Sequence, residues 1–188
     1  MFKVENIFTA EDIDTLNSIY DNLSPLIIKR YFNLFYLTKK DVADLPSDLV
    51  DEWDGLRAKL IKHTNLQPYS FYFLEYSKGS FCRAHTDNDA EVGLTSVTLV
   101  KKSDDLIGGD SIGYLPHWKS EQDVYDVNRY QAGDDCNSGE KIIPVVMKQD
   151  VGQTLTYEHN FKHSVSLVES GMRRVFIAWF KNDNKLRP

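Results

Sequence analysis

From residue 70 onward the chain is cut into short apolar pieces, and this constrains its fold more than any other feature. "SFYFLEYS", "SVTLVKK", "DSIGYLP", "QTLTYEH", "KHSVSLV" and "MRRVFIAWF" are rich in β-branched and aromatic residues. Such residues suit a pleated, half-buried surface. Gly, Asp, Asn or Ser separate most of the pieces and mark turns. Before residue 70 the period changes. Thr9 and Asp12 have the form of a capping box, and Ile13, Leu16, Ile19, Tyr20 and Leu23 follow at helical spacing. A second helix is expected from Ser47, with Leu49, Trp53, Leu56 and Leu60 on one stripe. Pro25 and Pro46 fall outside both helices. "LIIKRYFNLFYL", between them, reads equally as helix or strand. Helices first and then many short strands predict an α+β, mainly β, single domain. Its core, residues 70–182, is expected to be a jelly roll or barrel, with residues 1–69 as mainly helical support. Residues 116–149 interrupt the strands with a polar, acidic stretch carrying Trp118, Tyr125 and Tyr130. An insertion of that length in a compact domain is usually functional or mobile.

The bulk numbers exclude several classes. A chain of 188 residues can bury a substantial single core. Its net charge of −6 argues against general binding to nucleic acid, which needs clustered Lys and Arg. Cys82 and Cys136 make no disulfide framework and lack zinc-site spacing, which fits a reducing compartment. "MFKVENIF" lacks a signal-peptide core and no later run could span a bilayer, so a cytoplasmic location and no membrane partner are expected.

Within "CRAHTDND", His85 precedes Asp87 by two places. Composition alone gives roughly 0.7 His-x-acid triplets, so the triplet means nothing without context. On a strand the two side chains would point to one side. A third ligand must then come from His63, His117, His159 or His163. The last two strand pieces narrow the choice. They are separated by Glu169, Ser170 and Gly171, a loop suited to a type I turn with Gly in the left-handed conformation. Read as one hairpin, Leu167 pairs with Arg173, Val165 with Val175 and His163 with Ile177. His163, Val165, Leu167, Arg173, Val175, Ile177 and Trp179 then share a mostly apolar face, of which His163 and Arg173 are the exceptions. Arg174, on the other face beside two serines, reads as a solvated charge. Arg173 would lie roughly 13 Å along from the position opposite His163. That gap suits a short dicarboxylate held between a metal and a bidentate guanidinium.

Two His and one carboxylate form a facial triad, which leaves three adjacent positions open, as a non-haem Fe(II) oxygenase requires. "YSKGSFCRAHTD" reads Tyr-x-x-Gly-x5-His-x-Asp, "LIGGDS" carries a Gly-Gly pair, and "KHSVSLVESGMRRVFIAWF" carries His, then Gly-x-Arg ending ten residues later, then Trp-Phe. This ordered set resembles the Fe(II)/2-oxoglutarate-dependent dioxygenases, in the prolyl 4-hydroxylase-like branch, over about residues 70–180. The resemblance implies a double-stranded β-helix with His85, Asp87 and His163 as the iron ligands. It implies Arg173 at the distal carboxylate of 2-oxoglutarate, Tyr76 near the co-substrate and Trp179 in the substrate pocket, with no catalytic group beyond the metal ligands. The implied cofactors are Fe(II), 2-oxoglutarate and O2, with ascorbate as an optional reductant. The implied reaction is hydroxylation of an unactivated C–H bond, in the first place on a prolyl residue of a protein or peptide. A free amino acid or small metabolite is the alternative substrate, and a non-catalytic metal-binding jelly roll the alternative class. Ser96 and Thr98 are further candidates for bonding the co-substrate, whereas Gly108 and Gly109 read as a tight strand entry.

Overall fold

The structure is a computed structural model, and it describes residues 2–23, 33–36, 42–87, 92–115 and 143–181. Nearly half of the described residues lie in antiparallel strands. The strands are β1 (Phe2–Glu5), β2 (Asn33–Tyr36), β3 (Pro68–Ser77), β4 (Cys82–His85), β5 (Val92–Lys102) and β6 (Ile107–Gly108). They continue with β7 (Ser111–Leu115), β8 (Ile143–Val146), β9 (Thr154–Glu158), β10 (His163–Val165), β11 (Val168–Ser170) and β12 (Met172–Lys181). The two long helices are α1 (Ala10–Asp21) and α2 (Ser47–Thr64). No helix among the described residues is long and apolar enough to cross a membrane.

The expected capping box is present. Thr9 Oγ1 accepts from the Asp12 backbone N–H at 3.2 Å, and Asp12 Oδ2 accepts from the Thr9 N–H at 2.7 Å. Lys59 Nζ of α2 reaches the same carboxylate at 2.6 Å, so the cap also ties the helices together.

A six-stranded sheet has the order β1-β9-β5-β12-β3-β2, and a four-stranded sheet the order β4-β10-β7-β8. A small third sheet pairs β11 with β6. The central strand β12 is apolar on both faces because both are covered. Phe176, Ala178 and Phe180 face the helices and pack with Leu16, Ile19, Trp53, Leu56 and Leu60. The Phe176 ring stacks on Phe71 at 6.0 Å and meets the Trp53 ring edge-on at 6.0 Å. Val175 and Ile177 face the other way, into a core shared with Val97, Leu99, Leu155, Tyr157, Phe161 and Met147. Val165 and Leu115 of the four-stranded sheet close that core.

Besides its two helices, the N-terminal region supplies β1 and β2, which form the two edges of the large sheet. Four residues are too few to establish a period of two in sequence. Two expectations need correction. The insertion is shorter than 116–149. Ile143–Val146 pairs with β7, Ile112 opposite Val146, and Met147 is buried in the core. The remainder, with Trp118, Tyr125 and Tyr130, lies outside the described residues. Finally, "KHSVSLV" and "MRRVFIAWF" do not form a hairpin. β10 pairs with β4 and β7, β11 with β6, and β12 with β3 and β5. The chain crosses between sheets after Val165, turning Leu167 outward to 51% exposure. Gly171 makes the last turn at φ +72°, where an added Cβ would come 2.7 Å from Leu106 Cα.

Candidate metal centre

His85 ends β4, Asp87 follows it by two residues, and His163 opens β10 directly opposite His85. Asp87 therefore stands just beyond the strand and not on it. The register brings the imidazole rings to 4.3 Å between centroids. Asp87 Oδ1 lies 3.7 Å from His85 Nε2 and 3.8 Å from His163 Nε2. One ligand atom from each residue falls within 4.8 Å of the others. A metal with ligands at about 2.1 Å needs neighbouring donors about 3 Å apart, so the three must draw in, by about 0.7 Å for the two Asp87 pairs and by up to about 1.8 Å for the widest pair.

The donor chemistry fits a divalent metal. His163 Nδ1 donates to Phe161 O at 3.0 Å and His85 Nδ1 donates to Arg83 O at 2.8 Å. Each bond fixes the tautomer and aims the Nε2 lone pair at Asp87. Thr95 Oγ1 donates to Asp87 Oδ2 at 2.6 Å, leaving Oδ1 for the shared centre. Tyr157 OH lies 3.1 Å from His163 Nε2, and because Nδ1 carries the ring proton the hydroxyl is the donor. Burial holds His163 down to about 4, helped by the charge of His85, so it is neutral and ready to ligate at pH 7. Burial also opposes charge on His85, but Cys82, with Sγ 3.6 Å from Nδ1, and then Asp87 raise it to about 9. A metal at Nε2 takes the place of that proton. Burial pushes the Tyr157 hydroxyl well above its ordinary value, so it remains a neutral donor.

Arg173 projects from β12 into the same interior, 5% exposed. It and His163 do share that interior, but from opposite sheets. Its Nη1 donates to Gly109 O, and both Nη atoms lie 3.2 Å from Ser111 Oγ. Among the described residues its buried Nε has no hydrogen-bond partner, and no carboxylate pairs with the guanidinium. Burial pulls its pKa downward, against the opposing charges of Tyr76, Asp110 and Tyr157. Tyr76, directly opposite Arg173 on β3, is buried with its ring centre 5.8 Å from the guanidinium carbon, and burial pushes its hydroxyl up. Arg173 helps to line a cleft of about 290 Å³, with Leu106, Gly109, Ser111, Met147 and Lys148 among others. Trp179 sits opposite Thr95, edge-on to Tyr72 at 5.4 Å. Its Nε1 is buried and has no hydrogen-bond partner among the described residues.

Of the other histidines, His63 lies 3.3 Å from Glu5 and His159 sits in the turn after β9; neither joins the cluster. His117 lies outside the described residues. Ser96 and Thr98 are one residue out of phase. They are buried on the helix side, where Thr98 bonds Thr154 at 2.8 Å, and Thr95 is the strand's polar residue at the centre. Gly109 is more than a strand entry, because its carbonyl accepts from Arg173. A Cβ there, on a φ of +69°, would come 3.0 Å from Val168 Cγ2 and 3.3 Å from Arg173 Cδ. Thr95, Ser111 and Tyr157 were not singled out in sequence. Period-two parity from Arg173 and His163 could have flagged them only with the partner strands known.

No family model matches the sequence, and no curated protein matches it. Solved structures do match. A 2OG-Fe(II) oxygenase family oxidoreductase from Burkholderia pseudomallei superposes with a TM-score of 0.65 at 12% identity, over 96% of this chain and 84% of that one. The fold is that of the 2OG-Fe(II) oxygenases. Two further structures share this oxygenase fold. HygX from Streptomyces hygroscopicus, with nickel and 2-oxoglutarate bound, gives 0.63 at 13% identity over 96% and 82% of the two chains. It is also solved with hygromycin B. A prolyl hydroxylase from Trichoplax adhaerens, in complex with a hypoxia inducible factor peptide fragment, gives 0.58 at 11% identity over 98% and 86%.

Proposed function

We propose that the chain is an Fe(II)- and 2-oxoglutarate-dependent dioxygenase that hydroxylates an unactivated C–H bond, with a prolyl residue of a protein or peptide as its substrate. In this reading the two facing sheets are a double-stranded β-helix. His85, Asp87 and His163 hold iron on one side and leave three adjacent positions open. Iron with 2-oxoglutarate and O2 supplies the oxidising power for the hydroxylation.

The observation that carries the proposal is the buried guanidinium of Arg173, which pairs with no carboxylate among the described residues. A buried charge is costly unless paired, so its counter-ion is best supplied by a ligand. Arg173 reaches Ser111, and Ser111 lies two residues along β7 from Gly113, the register partner of His163. Two residues on a strand span about 7 Å. That suits a short dicarboxylate that would chelate a metal held by His163 at one end and form a bidentate pair with Arg173 at the other. Tyr76 lines the guanidinium end, and Trp179, one strand from Thr95, lines the substrate side. The HygX structure with hygromycin B favours a second reading, in which a small molecule replaces the peptide.

The test is aerobic turnover with Fe(II), 2-oxoglutarate and ascorbate, offered proline-containing peptides and, separately, free amino acids. Stoichiometric succinate and a peptide product heavier by one oxygen atom are expected. Coupled turnover only with small molecules would transfer the reading to the second substrate class. Absence of succinate under every condition would end both.

A further inference from the structure

The metal-facing nitrogen of His163 is already engaged by a group from the other sheet. Tyr157 OH lies 3.1 Å from Nε2, and the tyrosine ring lies tilted beside the imidazole, 4.6 Å between centroids. Tyr157 is 3% exposed and its ring is packed against Phe161 at 5.6 Å, so the hydroxyl is held in place. Phe161 O takes the Nδ1 proton, so Nε2 has one lone pair, and one acceptor cannot serve both a hydroxyl proton and a metal ion. Across the large sheet Tyr157 pairs with Thr95, whose hydroxyl bonds Asp87 at 2.6 Å. Two adjacent strands thus place one hydroxyl on each of two candidate ligands, with different consequences. Thr95 engages the carboxylate oxygen that faces away from the centre and can keep its bond when a metal binds. Tyr157 engages the ligating atom itself and cannot.

We propose that Tyr157 is a positioning residue with two successive partners: it occupies His163 Nε2 in the metal-free protein, and on metal binding it donates instead to an anionic oxygen of the co-substrate chelated there. The inference rests on the oxygenase reading above for its second partner and on the geometry of His163 alone for its first. The hydroxyl is too tightly packed to leave the centre. A metal about 2.1 Å from Nε2 puts its other ligands within a few ångströms of Tyr157 Oη. A donor fixed there discriminates between a chelating carboxylate and neutral water.

The two roles push Tyr157→Phe in opposite directions, which separates positioning from general structural damage. Co(II) affinity of the purified protein is measured by titration calorimetry. The affinity of the metal-loaded protein for 2-oxoglutarate is then measured anaerobically. The expected result is Co(II) binding that is unchanged or several-fold tighter, because a competitor for Nε2 has gone, with 2-oxoglutarate binding about tenfold weaker. Thr95→Val, the contrasting variant, is expected to weaken Co(II) binding. Parallel loss of both affinities in Tyr157→Phe, or unchanged 2-oxoglutarate binding, would overturn the proposal. If the wild type binds Co(II) but no 2-oxoglutarate, the oxygenase reading fails along with the second partner. The Co(II) comparison still decides the first.

Discussion

Arg173 and Arg174 are neighbours on β12, both buried, and they face opposite sides of the same sheet. On the helix side Arg174 has everything a buried cation needs within the chain. Glu75 accepts from its Nη2 at 2.8 Å and from its Nε at 3.1 Å, Asn17 of α1 accepts from Nη1 at 3.1 Å, and the Tyr20 ring lies 3.3 Å beneath it. Between the sheets Arg173 has a backbone carbonyl and one serine hydroxyl, and no carboxylate among the described residues. A buried charge that carries its counter-ion belongs to the architecture. One that is left without a counter-ion is poised for a ligand, at a cost in stability of the free protein.

That contrast can be broken by substitution. Arg173→Met is expected to weaken 2-oxoglutarate binding at least 100-fold, about 3 kcal/mol. It should leave stability unchanged or raise it by about 1 kcal/mol, since it removes an uncompensated charge. Anaerobic calorimetry and urea unfolding check the two halves. Arg174→Ala should do the reverse. It leaves Glu75 unpaired beneath the helices and costs about 3 kcal/mol in urea unfolding, the lower end for a broken buried pair because Glu75 keeps some solvent contact. Its 2-oxoglutarate affinity, measured well below the melting temperature, should stay within about twofold of wild type. Thr95→Val removes the hydroxyl on Asp87 Oδ2 and is expected to lower Co(II) affinity about tenfold, without altering the helix-side core. The smallest effect is on the helix side. Lys59 and the Thr9 cap, against the opposing effect of burial, hold the Asp12 carboxyl below its ordinary value. A depressed carboxyl stabilises the fold fully above its unfolded value of 3.8 and loses that contribution as pH falls below it. Asp12→Asn should flatten the acid limb of the melting temperature below about pH 4 and leave it unchanged in shape above.

The division of β12 into two faces was legible in the sequence, because a period of two assigns residues to faces whatever the partner. The left-handed conformation expected of Gly171 is present, at φ +72°, although the three-residue hairpin turn that called for it is not, because Glu169 and Ser170 belong to β11. The partner strand was not legible. β10 and β12 are close in sequence and alternate in phase, so a hairpin satisfied every local rule, while the real pairings, His163 with His85 and Arg173 with Tyr76, span dozens of residues. Without those pairings, Thr95 could not be told from Ser96 and Thr98, nor Tyr157 from an ordinary core aromatic. Arg174 was misjudged as solvated for the same reason. Two serines beside it in an imagined hairpin suggested water, whereas its neighbours are Glu75, its register partner on the adjacent strand β3, and Asn17 of α1. The His-x-Asp pair itself was visible, but its support by Arg83 O, Phe161 O and Thr95 is made of backbone and register, which no motif records.

The central claim is that this interior holds a metal at His85, Asp87 and His163 together with a dicarboxylate at Arg173. Anaerobic addition of Fe(II) and 2-oxoglutarate to the metal-free protein tests it directly, through the weak visible metal-to-ligand charge-transfer band of the chelate. The account predicts a saturable band in the wild type, none in His163→Ala, and one that needs far more 2-oxoglutarate in Arg173→Met. Tight Fe(II) binding with no band at any 2-oxoglutarate concentration would contradict it and leave a metal-binding β-sandwich whose buried arginine awaits some other anion.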